Sequence, residues 1–372
     1  MDHKHLHIVS FDVPFPPSYG GVIDVYYKIK ALHELGVKVH LHCFRYGREK
    51  AAALEAICES VTYYDRCLSK RLLFVREPYI IASRRSEELL KRLSADAHPV
   101  LFEGLHCCAY LTAPELSKKK KFVRTHNIEH DYYRSLAHVE RSFFRRWYFR
   151  REARKLERFE KNLAKADRIF AISPADAAAL GKRYNNVEHV MAFHPYEKVS
   201  IAEGKGRFAL YHGNLEVGEN NQAALFLVNE VFNGLNIPLV IAGNKPSAEL
   251  IRAAEAQKNV TLKANIPTEE IDRLIAEAQV NVLPTFQATG IKLKLLAALF
   301  RGRHCLVNTP MVANTGLEQL CVVAETAPSM KARLAELFEK EFTAADILPR
   351  EQVLAERFSN RRNAEKIEEC LA

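Results

Sequence analysis

Short apolar runs alternate with longer amphipathic stretches along the chain, and this alternation predicts strands and helices in turn. The first run, LHIVSF, reads as a buried strand. A proline-rich turn, the tetrad Ser18-Tyr19-Gly20-Gly21 and a helical pattern over residues 22–35 follow it, and Gly36 stops the helix. VKVHLHCF reads as a second strand, so the first 44 residues predict a βαβ unit with a parallel pair. VTYYD, a helix over 86–93, PVLFEG, a short helix and KFVRT continue the rhythm. A charged helical region spans 127–166, and RIFAIS, a helix opened by Ser173-Pro174 and VEHVMAF complete the series. The pattern is that of a doubly wound parallel sheet.

The periodicity then lapses in HPYEKVSIAEGKGR, which predicts an interdomain linker. The expected division is a first domain over 1–194, a linker over 195–206 and a second domain over 207–350. The second series runs FALYHG, a helix over 220–232, LVIAG, a helix from Ser247, VTLKANI, a helix from Thr268 and VNVLPT. A helix beginning near Gly290, HCLVNT, CVVAET and a helix from Ala327 close it. Two such series predict two Rossmann-like domains, with a final helix over 351–372 crossing back onto the first.

Composition changes this picture in three respects. At 372 residues and 48% hydrophobic positions, the chain suits two globular domains. No run approaches the ~20 apolar residues of a spanning helix, and the opening segment lacks the order of a signal peptide. The expected location is the cytoplasm. Eight cysteines are scattered through apolar segments without metal-type spacing and read as reduced packing residues.

The net charge of +9 is uneven. Residues 207–350 are nearly neutral, whereas 134–168 hold 12 Lys/Arg against 5 Asp/Glu, with Phe143, Phe144, Trp147, Tyr148 and Phe149 among them. A basic stretch with aromatic side chains suits the anionic inner face of a membrane; a solvated helix with i to i+4 pairs is the plainer reading. No nucleic-acid-reading motif accompanies the charge, so no nucleic-acid partner is expected.

The candidate chemistry lies in loops that follow strands, where helix N-termini offer N–H groups to anions. Gly20 and Gly21 form one such loop, and Gly213 with Asn214 a second. The third is Pro284-Thr285-Phe286-Gln287-Ala288-Thr289-Gly290-Ile291-Lys292-Leu293-Lys294. Lysines at a helix start oppose the macrodipole unless an anion is near, so Lys292 and Lys294 point to a diphosphate. His126, directly after KFVRT, is placed at a strand's carboxyl end. His126-Asn127-Ile128-Glu129-His130 also fits H-x-x-E-H, a zinc-hydrolase pattern that needs both histidines on one helical turn. No metal is expected, because the strand runs directly into His126.

Six segments in order, SFDVPFPPSYGG, RTHNIEHDYY, FALYHGNL, LVIAGNKP, LPTFQATGIKLKLLAALFRGRHCLVNT and NTGLEQLCVVAE, resemble the retaining GT-B glycosyltransferases of the family 4 type. The resemblance implies two Rossmann-like domains facing a central cleft. It implies a nucleotide-diphosphate-sugar donor, a glycan or lipid-linked acceptor, retention of anomeric configuration and no cofactor or metal. The donor-binding residues would be Gly20, Gly21, Gly213, Asn214, Thr289, Gly290, Ile291, Lys292 and Lys294, with His126 catalytic. Two family glutamates match Thr289 and Ala297, and a family arginine and lysine match Asn214 and Asn220. Lys292 and Lys294 are expected to supply the charge that these positions lack. The missing carboxylates leave a second expectation open, a non-catalytic relative that binds a nucleotide sugar or scaffolds glycan assembly.

Overall fold

The computed structural model describes residues 4–140, 142–286 and 292–371. The chain divides into two compact units, Met1–Pro195 together with Ser359–Ala372, and Tyr196–Phe358. In the first, β1 (His5–Ser10), β2 (Lys38–Arg45), β3 (Ser60–Asp65), β4 (Val100–Glu103), β5 (Lys121–Thr125), β6 (Arg168–Ala171) and β7 (Val187–His189) form one sheet. Their order is β3-β2-β1-β4-β5-β6-β7, and every pair is parallel. All residues of β4 and β5 are buried, because helices cover both faces of a parallel sheet and leave no position for solvent.

The second unit repeats the plan with β8 (Ala209–His212), β9 (Leu239–Gly243), β10 (Val260–Ala264), β11 (Val280–Leu283), β12 (His304–Val307) and β13 (Val322–Val323). The order is β10-β9-β8-β11-β12-β13, again parallel. Both sheets reverse direction beside their first strand, between β1 and β4 and between β8 and β11. At such switch points the following loops diverge and open a crevice at the carboxyl ends of the strands.

Three boundaries differ from the sequence expectation. The segment expected as a free linker packs on the second unit: Ser200 N donates to Phe300 O at 2.9 Å and Gly206 N to Gln279 Oε1 at 2.7 Å. A Cβ on Gly206 would lie 2.3 Å from Gln279 N, so no larger residue fits there. The helix expected over 351–372 is two, Ala344–Arg357 and Asn360–Glu369, because Ser359 caps the second by accepting from Arg362 N. Only the second belongs to the first unit, where Ala364 and Ile367 enter the core beside Leu6, Val25 and Ile29. The helix expected near Gly290 begins at Leu293, since Lys292, at φ −86° and ψ 51°, is outside helical geometry.

Candidate functional site

The switch point of the second sheet brings together most of the expected donor residues that the structure describes. β8 ends in Tyr211 and His212, Gly213 and Asn214 follow, and the helix Gly218–Phe226 turns back behind them. β11 leads through Thr285 to the helix Leu293–Arg301, whose N-cap is Lys292. Lys294 Nζ donates to Asn220 Oδ1 at 2.5 Å, reaches Tyr211 Oη at 3.5 Å and lies 5.1 Å from the Tyr211 ring centre. A Cβ on Gly213 would sit 3.3 Å from that ammonium, so the glycine leaves room for the charge. Close approach extends to the next strand, where a Cβ on Gly243 would meet Gly213 O at 2.0 Å.

Charge at this point is positive. Burial pulls the Lys294 ammonium down to about 8, against the raising effect of Glu219, and burial lowers Lys292 in the same direction. Glu219 is the neighbouring carboxylate, and Thr285 Oγ1 donates to it. His212 is held down to about 3 by burial and by Lys294, which makes it neutral at pH 7. Two ammonium groups therefore stand against one carboxylate. Asn214 is tied into its own turn: its Oδ1 accepts from Glu216 N at 3.2 Å and its main-chain oxygen from Asn220 Nδ2 at 2.9 Å. Thr289, Gly290 and Ile291 lie outside the described residues. Ala297 is buried in the core with Leu210, Ala242 and Leu274, so its methyl group serves packing.

The first domain places His126 at the carboxyl end of β5, its side chain 10% exposed. Its Nε2 stands 3.1 Å from Glu103 Oε2 at the end of β4, and Lys28 Nζ lies 2.8 Å from the other oxygen of that carboxylate. Burial would push the Glu103 carboxyl up, but Lys28 and His126 hold it below its usual range. An ionised Glu103 only accepts, so Nε2 of His126 carries the hydrogen of this bond. The other ring nitrogen, Nδ1, is buried and makes no hydrogen bond among the described residues. Phe11 packs edge-on against the imidazole at 5.4 Å. The histidine does not cap the next helix, whose N-cap is Ile128.

Behind His126 lies a charged network that the sequence reading did not single out. Arg124 is fully buried and grips Asp24 with two bonds, Nη2 to Oδ1 at 2.8 Å and Nε to Oδ2 at 3.2 Å. Lys28, one helical turn beyond Asp24, bonds Oδ2 at 3.0 Å and bridges to Glu103. Burial raises the Asp24 carboxyl, yet Arg124 and Lys28 outweigh it and keep it well below the carboxylate range. Asp24, Glu103 and His126 place ligand-type atoms within 4.8 Å of one another, but Lys28 and Arg124 already balance both carboxylates. Asp24 and Lys28 fall beside the apolar stripe of Val25, Ile29 and Leu32 on the helix Gly20–Glu34, a signal that charged groups are buried there.

Two further expectations receive specific placements. Gly21 faces Phe11, whose ring tip would lie 2.7 Å from a Cβ, so this glycine accommodates the side chain that packs on His126; Gly20 opens the helix. His126 and His130 bond to different carboxylates, Glu103 and Glu160, and do not converge as a zinc pair.

The basic stretch forms the helices Glu129–Val139 and Phe143–Glu160, broken at Glu140. The second buries Ala153 and Leu156 and exposes Phe143 by 75%, Phe144 by 81% and Trp147 by 54%. Arg151 links Trp147 to exposed Phe74, and Lys155 Nζ bonds Leu73 O, which brings the segment Leu73-Phe74 to the same surface. That segment was not anticipated.

Residues 20–192 match the family model described as Glycosyltransferase Family 4. A Klebsiella pneumoniae protein described as an uncharacterized 44.6 kDa protein in cps region is 27% identical over 315 residues, 78% of this chain and 79% of that protein. Among solved structures, LpCGTa in complex with UDP matches with a TM-score of 0.56 at 13% identity over 98% of both chains. The apo form of the lipopolysaccharide outer core galactosyltransferase WaaB matches with a TM-score of 0.59 at 14% identity, over 98% of this chain and 100% of that one. At such identities the likeness is one of fold. The chain has the GT-B fold throughout, and the family 4 match in its first domain supports a glycosyltransferase of GT-B type.

Proposed function

We propose that the chain transfers a hexosyl group from a nucleotide-diphosphate sugar to a glycan or lipid-linked acceptor, with retention of configuration and without a metal. The observation that carries this reading is the Lys294 ammonium seated on Asn220, at the switch point of the second sheet. A departing diphosphate there meets Lys292, Lys294 and the start of the helix Leu293–Arg301, fixed positive groups that stabilise developing negative charge. The UDP bound by LpCGTa supports a nucleoside diphosphate as the leaving group. The cps-region description of the Klebsiella relative and the WaaB activity support a surface polysaccharide or its lipid-linked precursor as acceptor.

The exposed aromatics of the helix Phe143–Glu160 support contact with an anionic membrane face, where a lipid-linked acceptor resides. No helix among the described residues is long and apolar enough to cross a membrane. The test is a thermal-shift screen of nucleotide sugars, followed by transfer assays with and without EDTA. The true donor raises Tm by mass action, and changing Lys292 and Lys294 together to alanine abolishes the shift. A double variant with unchanged donor affinity overturns the reading.

The burial of Ala297 favours a second reading, a protein that binds a nucleotide sugar without transferring it. Donor binding without transfer or donor hydrolysis, across a panel of acceptors, would select it.

A further inference from the structure

Five histidines gather at the amino ends of the first sheet's strands, away from the loops that hold His126. His5 and His7 alternate on β1, His40 and His42 on β2, and His98 precedes β4. The parallel register sets His7 beside His40, and the rings form one array: His5 and His98 stack at 4.4 Å, and His40 and His98 at 5.8 Å. Within it, His5, His40 and His98 each offer a ring nitrogen, and these atoms all lie within 4.8 Å of one another. His5 Nδ1 stands 2.9 Å from His40 Nε2. All three residues are half-buried, so the site is open to solvent on one side.

We propose that His5, His40 and His98 bind a zinc-type divalent ion, with water completing a tetrahedron. Three imidazoles and one open position are a ligand set that zinc, copper and nickel accept. Zn–N bonds of about 2.0–2.1 Å at tetrahedral angles set ligand nitrogens ~3.3 Å apart. To meet this geometry the His5 and His40 nitrogens separate by a few tenths of an ångström and the three rings, now stacked within 16° of parallel, turn so that their lone pairs converge on the ion.

The surrounding groups have the form of a supporting layer. The second nitrogen of His40, Nδ1, lies 3.0 Å from Ser60 Oγ on β3. Metal-bound histidines characteristically use their other nitrogen in this way, which fixes the ring and its tautomer. Deeper in the sheet, His7 Nδ1 meets His42 Nε2 at 3.0 Å, and His7 Nε2 meets Asp96 Oδ2 at 3.0 Å. Asp96 Oδ1 accepts from the His98 main-chain N–H at 2.9 Å, so the carboxylate holds the loop that presents His98. Lys119 pairs with the same oxygen at 2.8 Å.

The ion would clip β1, β2 and the loop before β4 at the sheet's amino end. β1 is six residues long, and at ~3.3 Å per residue its two ends lie roughly 20 Å apart. The ion would therefore stabilise the domain without touching the reacting groups, which is compatible with metal-free sugar transfer.

The test uses the full chain, stripped with EDTA and titrated with Zn2+ against a chromophoric chelator, with Co2+ as a spectroscopic probe. One ion per chain, a tetrahedral Co2+ spectrum and a Tm raised by Zn2+ are expected. His5→Gln, His40→Gln and His98→Gln each weaken binding beyond the 10–100-fold expected when an outer partner such as Ser60 is changed to alanine. His126→Ala leaves binding intact, which separates this site from the Asp24, Glu103 and His126 cluster. Circular dichroism without metal shows whether each variant is folded. Binding that survives His98→Gln, or Zn2+ uptake no greater in the wild type than in the folded triple variant, overturns the proposal.

Discussion

Lys294 donates to Asn220 at 2.5 Å, so an ammonium from the helix Leu293–Arg301 reaches an amide on the helix Gly218–Phe226. Lysine acts there as a point charge and lacks the planar fork of arginine.

With the donor bound at Lys294 as proposed, the lowered pKa of that ammonium, about 8, should make binding sensitive to alkali. Only the ammonium attracts a diphosphate, and binding draws a proton back onto the free amine above pH 8. Affinity for UDP should be greatest near pH 7, where the terminal phosphate is ionised and the lysine protonated, and about tenfold weaker at pH 9, as expected when one group must be protonated. Calorimetry in buffers of different ionisation enthalpy should detect proton uptake at pH 8.5. Lys294→Arg should flatten the profile; an unchanged slope would remove Lys294 from the site.

His126→Ala should lower transfer by about 10²–10⁴-fold, the range for a positioned acid or base. Nucleotide affinity should hold, because the lysines belong to the other domain. Equal turnover in wild type and variant would assign His126 to packing against Phe11 alone.

Glu129 predicts the pH dependence of stability. Burial, then Glu160 and Asp176, push its carboxyl up from 4.5 to about 8. Between these values the unfolded chain has released the proton and the folded chain retains it. Its contribution is therefore complete below about pH 4.5 and is lost as pH rises through 8, on the order of 5 kcal/mol at most. Glu129→Gln should keep the neutral form and flatten this part of the stability curve in urea titrations at pH 6 and 8.5.

Arg124→Met should destabilise the first domain by about 3–5 kcal/mol, because it leaves Asp24 buried with Lys28 as its remaining cation. Chemical denaturation measures the loss. Joint replacement of Asp24 and Arg124 by apolar residues should cost less than Arg124→Met alone.

Changing Phe143, Phe144 and Trp147 to serine should abolish binding to anionic liposomes without lowering Tm, since these side chains are exposed. Wild-type binding should weaken as salt rises. No binding at low salt would leave the aromatics without a membrane role.

Both sheets were legible from the sequence because parallel strands covered on two faces become uninterrupted apolar runs, such as those of β4 and β5. Positions after strands were equally legible, which placed His126, Gly213, Lys292 and Lys294 at carboxyl ends. The Asp24–Arg124 pair was not, because its members are 100 residues apart in sequence and only the fold brings them together. The same applies to Phe74, whose proximity to Trp147 is tertiary. Gly21 illustrates a different gap: a glycine before a helix suggests a ligand, whereas here the missing Cβ makes room for Phe11.

The helix Asn360–Glu369 inserts Ala364 and Ile367 among residues from the first strands and helix of the chain. During synthesis the earliest domain must therefore wait, with an incomplete interior, until a second domain has emerged behind it. Release of a nascent chain at residue 358 should yield a first domain that recruits chaperones and is digested sooner than the second.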